Sequence, residues 1–65
     1  MGYKKYSYIE MAEEMVDRIR EGKETNRNTA YRELVTIKNE WKGYPVANEA
    51  EYLIDEYYSD LKYTN

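Results

Sequence analysis

Asn48-Glu-Ala-Glu-Tyr-Leu-Ile-Asp-Glu-Tyr-Tyr-Ser-Asp-Leu-Lys62 is the stretch whose reading decides the fold. Asn48 offers an N-cap, and Glu51, three residues on, offers the returning acid of a capping box. Ala50, Leu53, Ile54, Tyr57 and Leu61 follow the i, i+3, i+4 rhythm of one buried helical face. The pattern predicts a helix over residues 48–62. Off that face stand Glu49, Glu51, Asp55, Glu56 and Asp60, with Tyr52 and Tyr58 among them and Lys62 as the only base.

Working back from it, Tyr44-Pro45-Val46 reads as a tight link. Pro45 disfavours helix at Tyr44, and Val46 is placed to tuck under the neighbouring helices. Before the link, Ala30, Leu34, Ile37 and Trp41 make a 4-3-4 spacing that Gly43 ends, with Asn28 or Thr29 as cap. That predicts a second helix over 29–42. Gly22 to Asn28 has no apolar residue and reads as a loop.

Ahead of it, Ser7 and Glu10 form another capping-box pair. Tyr8, Ile9, Ala12, Met15, Val16 and Ile19 share one face, and Gly22 is a natural stop after Arg18 and Arg20. A helix over 7–21 follows, preceded by an arm, residues 1–6, that carries Lys4 and Lys5 among Tyr3 and Tyr6. No segment alternates with period two, so a strand reading fails. The expectation is one all-α domain, an antiparallel three-helix bundle, with a helical hairpin that completes its core in a dimer as the alternative.

Sixty-five residues bury only about 60% of the surface the unfolded chain exposes. Domains this small add disulfides, a metal, close helix packing or self-association. With no cysteine and no histidine, there is no disulfide, no thiolate and no imidazole base or ligand. Packing remains, and a homodimer is compatible with it. No apolar run approaches the roughly 20 residues of a membrane span, and no signal-peptide core is seen, so a cytoplasmic protein is expected. Tyr6 stands where a myristoylation signal wants Ser or Thr. Nine tyrosines, one tryptophan and no phenylalanine favour half-buried and interface positions over a dry core.

Chemistry finds little to stand on. Acid/base catalysis needs carboxylates in unlike environments, and these lie on outward faces. A bundle di-iron site needs Glu-x-x-His elements. The glycines at 2, 22 and 43 are isolated, so no loop cradles phosphate, and no calcium-loop spacing occurs. The expectation is a protein without enzymatic activity, cofactor or metal.

The polar faces carry the functional reading. On the first helix Glu10, Glu13, Glu14, Asp17 and Glu21 gather opposite the core stripe, flanked by Arg18 and Arg20; a solvated face is the commoner meaning of such a run. On the third, Glu51 with Asp55 and Glu56 with Asp60 are like-charged i, i+4 pairs without a base at i±3 or i±4 inside the helix. Tyr52 points outward with Glu49, Asp55 and Glu56 around it. Arg32, Lys38, Lys42 or the basic arm can instead neutralise these acids.

The expected partner surface is thus Tyr52, Asp55, Glu56 and Asp60 with Glu49, and a second patch of Glu10, Glu14 and Asp17. It suits a protein with a basic surface, which the chain would inhibit or regulate, in one version by mimicking nucleic acid. Small acidic chains of this kind occur among phage and mobile-element inhibitors, a likeness of size and charge alone.

Two rivals stand beside it. Tyr31 and Val35, in a second row of the middle helix with Lys38 and Lys42, offer a self-association patch. Nucleic-acid binding through Lys4, Lys5, Arg27, Arg32, Lys38 and Lys42 is a minor reading, handicapped by a net charge of −3.

Overall fold

The computed structural model describes residues 2–62, and side chains from residue 8. It is all-helical: α1 (Gly2–Arg20), α2 (Arg27–Glu40), α3 (Pro45–Tyr57) and a single turn α4 (Ser59–Lys62). Both α1 and α2 pack on α3 more extensively than on each other. Glu13 and Asp17 lie beside Pro45 and Val46, and Arg20 further along beside Glu49, so α1 and α3 point the same way. Lys38 meets Glu51 while Arg27 meets Asp60, so α2 runs opposite to them.

The helix starts differ from the sequence expectation. Ser7 lies inside α1, so residues 2–6 are its first turns and no capping box or separate arm forms there. Nothing between Gly2 and Ser7 stops a helix, and adding a residue to an existing helix is far easier than nucleating one. For α2 the cap is Asn26, two residues ahead of Asn28, the earlier of the two expected caps, with its side-chain oxygen accepting from the Thr29 amide at 3.0 Å. This earlier start brings Arg27 into the first turn.

The largest correction falls on the third helix. It begins at Pro45, with Tyr44 as an extended N-cap residue (φ −101°, ψ 152°). Proline imposes that extended backbone on its predecessor, and its own fixed φ suits the first helical position. The early start also buries Val46 and Ala47. Asn48 is therefore an interior residue and caps nothing. The far end breaks at Tyr58 (φ −129°, ψ 20°), so the continuous helix expected over 48–62 is two pieces.

The helix ends follow the glycines. Lys23 N donates to Arg18 O at 2.9 Å and Gly22 N to Ile19 O at 3.1 Å, the paired bonds of a Schellman motif with Gly22 at φ 78°. Gly43 takes φ 93° after α2, and Trp41 and Tyr44 brace that link edge-to-face at 5.7 Å.

Core positions follow the predicted stripes closely. Ala12, Val16, Ile19, Ala30, Leu34, Ile37, Val46, Ala50, Leu53 and Ile54 are buried, with Met15, Trp41 and Leu61 packed against them. Three tyrosines depart. Tyr57, on the expected core stripe, is 62% exposed, whereas Tyr58 is 8% exposed. Ile19, Arg20 and Gly22 lie around Leu53 and Tyr57, so α1 has run out where Tyr57 would need it. Tyr58 faces the start of α2, which continues there, and Arg27 lies 5.1 Å over its ring. Tyr8, also expected in the core, is 58% exposed.

Candidate functional site

Leu53 and Ile54 turn one side of α3 inward, which leaves Tyr52 outward and 57% exposed. At 100° per residue, Glu49, Tyr52 and Glu56 fall on the side of α3 that faces α1. Across from them, Glu13, Asp17 and Arg20 of α1 meet Pro45, Val46 and Glu49 of α3 around a shallow cleft of about 250 Å³. Of the two expected acidic patches, Asp17 and Glu49 come together at this seam.

Arg20 sits in the middle of it. One Nη1 donates to both oxygens of Glu49, at 2.9 and 3.0 Å, and Nη2 donates to Asp17 at 2.6 Å. Glu10, Glu13, Glu14 and Glu56, by contrast, make no ion pair among the described residues. Negative charge on this face therefore surrounds one neutralised centre.

Other acids of the expected surface turn elsewhere. Asp60 is held by Arg27 of α2, and Asp55 by Lys62 of α4 at 2.9 Å. Glu51 meets Lys38 at 3.5 Å. Neutralisation by bases beyond α3 thus reaches four of its neighbourhood's acids, chiefly through Arg20, Arg27 and Lys62 besides the anticipated Lys38. The Arg27 fork, by its hydrogen bonds, holds the Asp60 carboxyl below its ordinary range, and the same bonds raise the guanidinium.

Tyr31 and Val35 are half-buried and pack against the core, so part of the proposed self-association row is used within the chain. Of the basic set, Arg27 and Lys38 are engaged by Asp60 and Glu51, while Arg32 is exposed. The Lys4 and Lys5 side chains lie outside the described ones. No group of three or more metal-capable side chains gathers among the described residues. Nor is any helix there long and apolar enough to cross a membrane.

A second feature was not legible as a site. Tyr8, Met11, Ala12 and Met15 of α1, Glu40 of α2 and its C-cap Trp41 line an apolar groove of about 380 Å³. The only sequence signal is the 3-4 spacing of Tyr8, Met11 and Met15, which a core stripe produces just as well.

The chain matches no known protein family model. Neither a curated protein nor a solved structure matches it.

Proposed function

We propose that the chain is a non-enzymatic interaction module, an antiparallel three-helix bundle of the cytoplasm that docks its α1/α3 face on a basic partner protein and thereby inhibits or regulates it. The observation that carries this reading is the seam itself. Glu10 and Glu14 on α1, and Glu56 one turn from the outward Tyr52 on α3, make no ion pair among the described residues, on helices that lie side by side. Unpaired carboxylates steer a cationic surface into place, and an exposed tyrosine supplies contact area at small entropic cost.

Carboxylates four residues apart stand about 6 Å from each other along a helix axis, near two phosphate steps of about 3.4 Å along a DNA strand. A partner surface that ordinarily takes phosphates therefore fits the Glu10 and Glu14 spacing. The half-burial of Tyr31 and Val35 makes self-association through them the weaker reading.

Affinity capture from the native host at low and high salt tests the proposal. A basic protein that is retained at low salt, released at high salt and lost with Glu14→Lys/Glu56→Lys supports it. Capture that survives those changes but disappears with Tyr31→Ala or Val35→Asp overturns it in favour of the α2 face.

A further inference from the structure

We infer that Arg27 is a clamp on a helix break, and that without it α3 and α4 run on as one helix from Pro45 to Lys62. Nothing in the local sequence demands the break. No glycine or proline stands between Val46 and Lys62, and the apolar stripe continues through Tyr57 to Leu61. The interruption sits at Tyr58 alone, with one helix ending at Tyr57 and the next starting at Ser59.

A single side chain of α2 supplies what the break lacks. In a continuous helix the Tyr57 carbonyl accepts from the Leu61 amide. Here the Leu61 amide donates to the Tyr58 carbonyl at 3.0 Å, and the Tyr57 carbonyl accepts from Arg27. The same guanidinium holds Asp60 beyond the break and lies over the Tyr58 ring within it. The Arg27 and Asp60 side chains are 52% and 59% exposed, so water weakens the clamp and a competing charge can reach it.

Release has a defined geometric result. At 100° per residue, Asp60 of an unbroken helix falls about 20° from Glu49 and about 40° from Glu56, on the side of α1. Leu61 falls about 20° from Ala50 and Tyr58 about 40° from Ile54, so both keep to the core side. Straightening thus turns Asp60 from α2 towards α1 and leaves the apolar residues inward. The released turn reaches past the end of α1, so its amides exchange faster than in the clamped chain although it is helical.

The use of this switch rests on the α1/α3 reading; the clamp itself does not. While clamped, Arg27 withholds Asp60 from the row of Glu49 and Glu56. A cationic side chain that takes Asp60 frees the break and meets a longer acidic row, so docking and straightening favour each other.

Nuclear magnetic resonance tests both parts. The three-bond coupling between the amide and α protons of Tyr58 is large at φ −129° and small in a helix. The native chain is expected to show the large value. Arg27→Gln is expected to show the small one, with the dipolar couplings of residues 59–62 fitting the axis of α3. Asp60→Asn, which leaves Arg27 in place, moves Tyr58 part of the way. Oligolysine added to the native chain at low salt moves it in the same direction, and added salt reverses the change. An unchanged Tyr58 coupling in Arg27→Gln overturns the inference, as do averaged couplings through residues 59–62 beside an intact α3. If Arg27→Gln straightens but oligolysine leaves the native chain unmoved, the clamp stands and the α1/α3 reading fails.

Discussion

Arg27, the first residue of α2, grips Asp60 of α4 with two parallel bonds, Nη1 to Oδ2 and Nη2 to Oδ1, both at 2.9 Å. The same guanidinium donates to the Tyr57 carbonyl and lies over the Tyr58 ring. A planar fork that pairs, donates and stacks at once is beyond what lysine can do. Leu61 packs on the core and Lys62 pairs with Asp55, and this grip adds the tie that fastens α4 to α2.

Arg27→Gln is therefore expected to loosen α4 while leaving α1–α3 folded. The Leu61 and Lys62 amides, which donate to the Tyr58 carbonyl at 3.0 and 3.3 Å, report it. Their hydrogen exchange rises several-fold in the variant, and amides in the middle of α3 keep their protection. Equal acceleration throughout α3 would show that the grip supports the whole fold instead.

Acid should undo the same tie. The Asp60 carboxyl is held below its ordinary range by the Arg27 hydrogen bonds. A lowered folded pKa means that the stabilisation is fully present above the unfolded value, about 3.9, and is lost as pH falls through the folded one. Arg27 stays charged across this window. Hydrogen exchange or thermal unfolding of the native chain and of Arg27→Gln should differ at neutral pH and converge in acid. A gap that persists once Asp60 is protonated would place the effect in the Tyr58 stacking and the bond to the Tyr57 carbonyl.

The two adjacent tyrosines give a sharper contrast. Tyr58→Ala removes a ring that is 8% exposed and should destabilise by about 3 kcal/mol, as large aromatic truncations do. Tyr57→Ala removes one that is 62% exposed and should stay within about 0.5 kcal/mol. Urea denaturation of both variants decides it, and a larger loss at Tyr57 would contradict the placement.

Those tyrosines also mark where the sequence stops being informative. Leu34, Leu53 and Val16 are legible as core because their stripes are set by helical period alone. Tyr57 shares that period, yet its exposure depends on where α1 ends, a fact carried by Gly22 some thirty-five residues earlier. The α3 start was misplaced for a local reason. Asn48 and Glu51 present a good capping pair, but Pro45 at the first position together with burial of Val46 and Ala47 outweighs it. Partners of the acids were legible only in part. Lys38 is predictable from a neighbouring helix, whereas Arg20 and Arg27 reach α3 and α4 across 29 and 33 residues of chain.

At the α1/α3 seam, Arg20 joins Asp17 to Glu49 with side chains between 37% and 51% exposed. Exposed pairs of this kind contribute little, so Arg20→Gln should destabilise by only about 0.5 kcal/mol, less at high salt as the charges are screened. A double-mutant cycle with Glu49→Gln isolates the coupling between α1 and α3 from the local pair with Asp17. Removing the one neutralised centre should, however, strengthen the negative field of the face. A basic protein ligand should therefore associate faster with folded Arg20→Gln than with the native chain at low salt, the two rates converging as salt is added. Slower association at low salt would show that Arg20 itself contacts the partner, and equal rates at every salt concentration would place docking away from the seam.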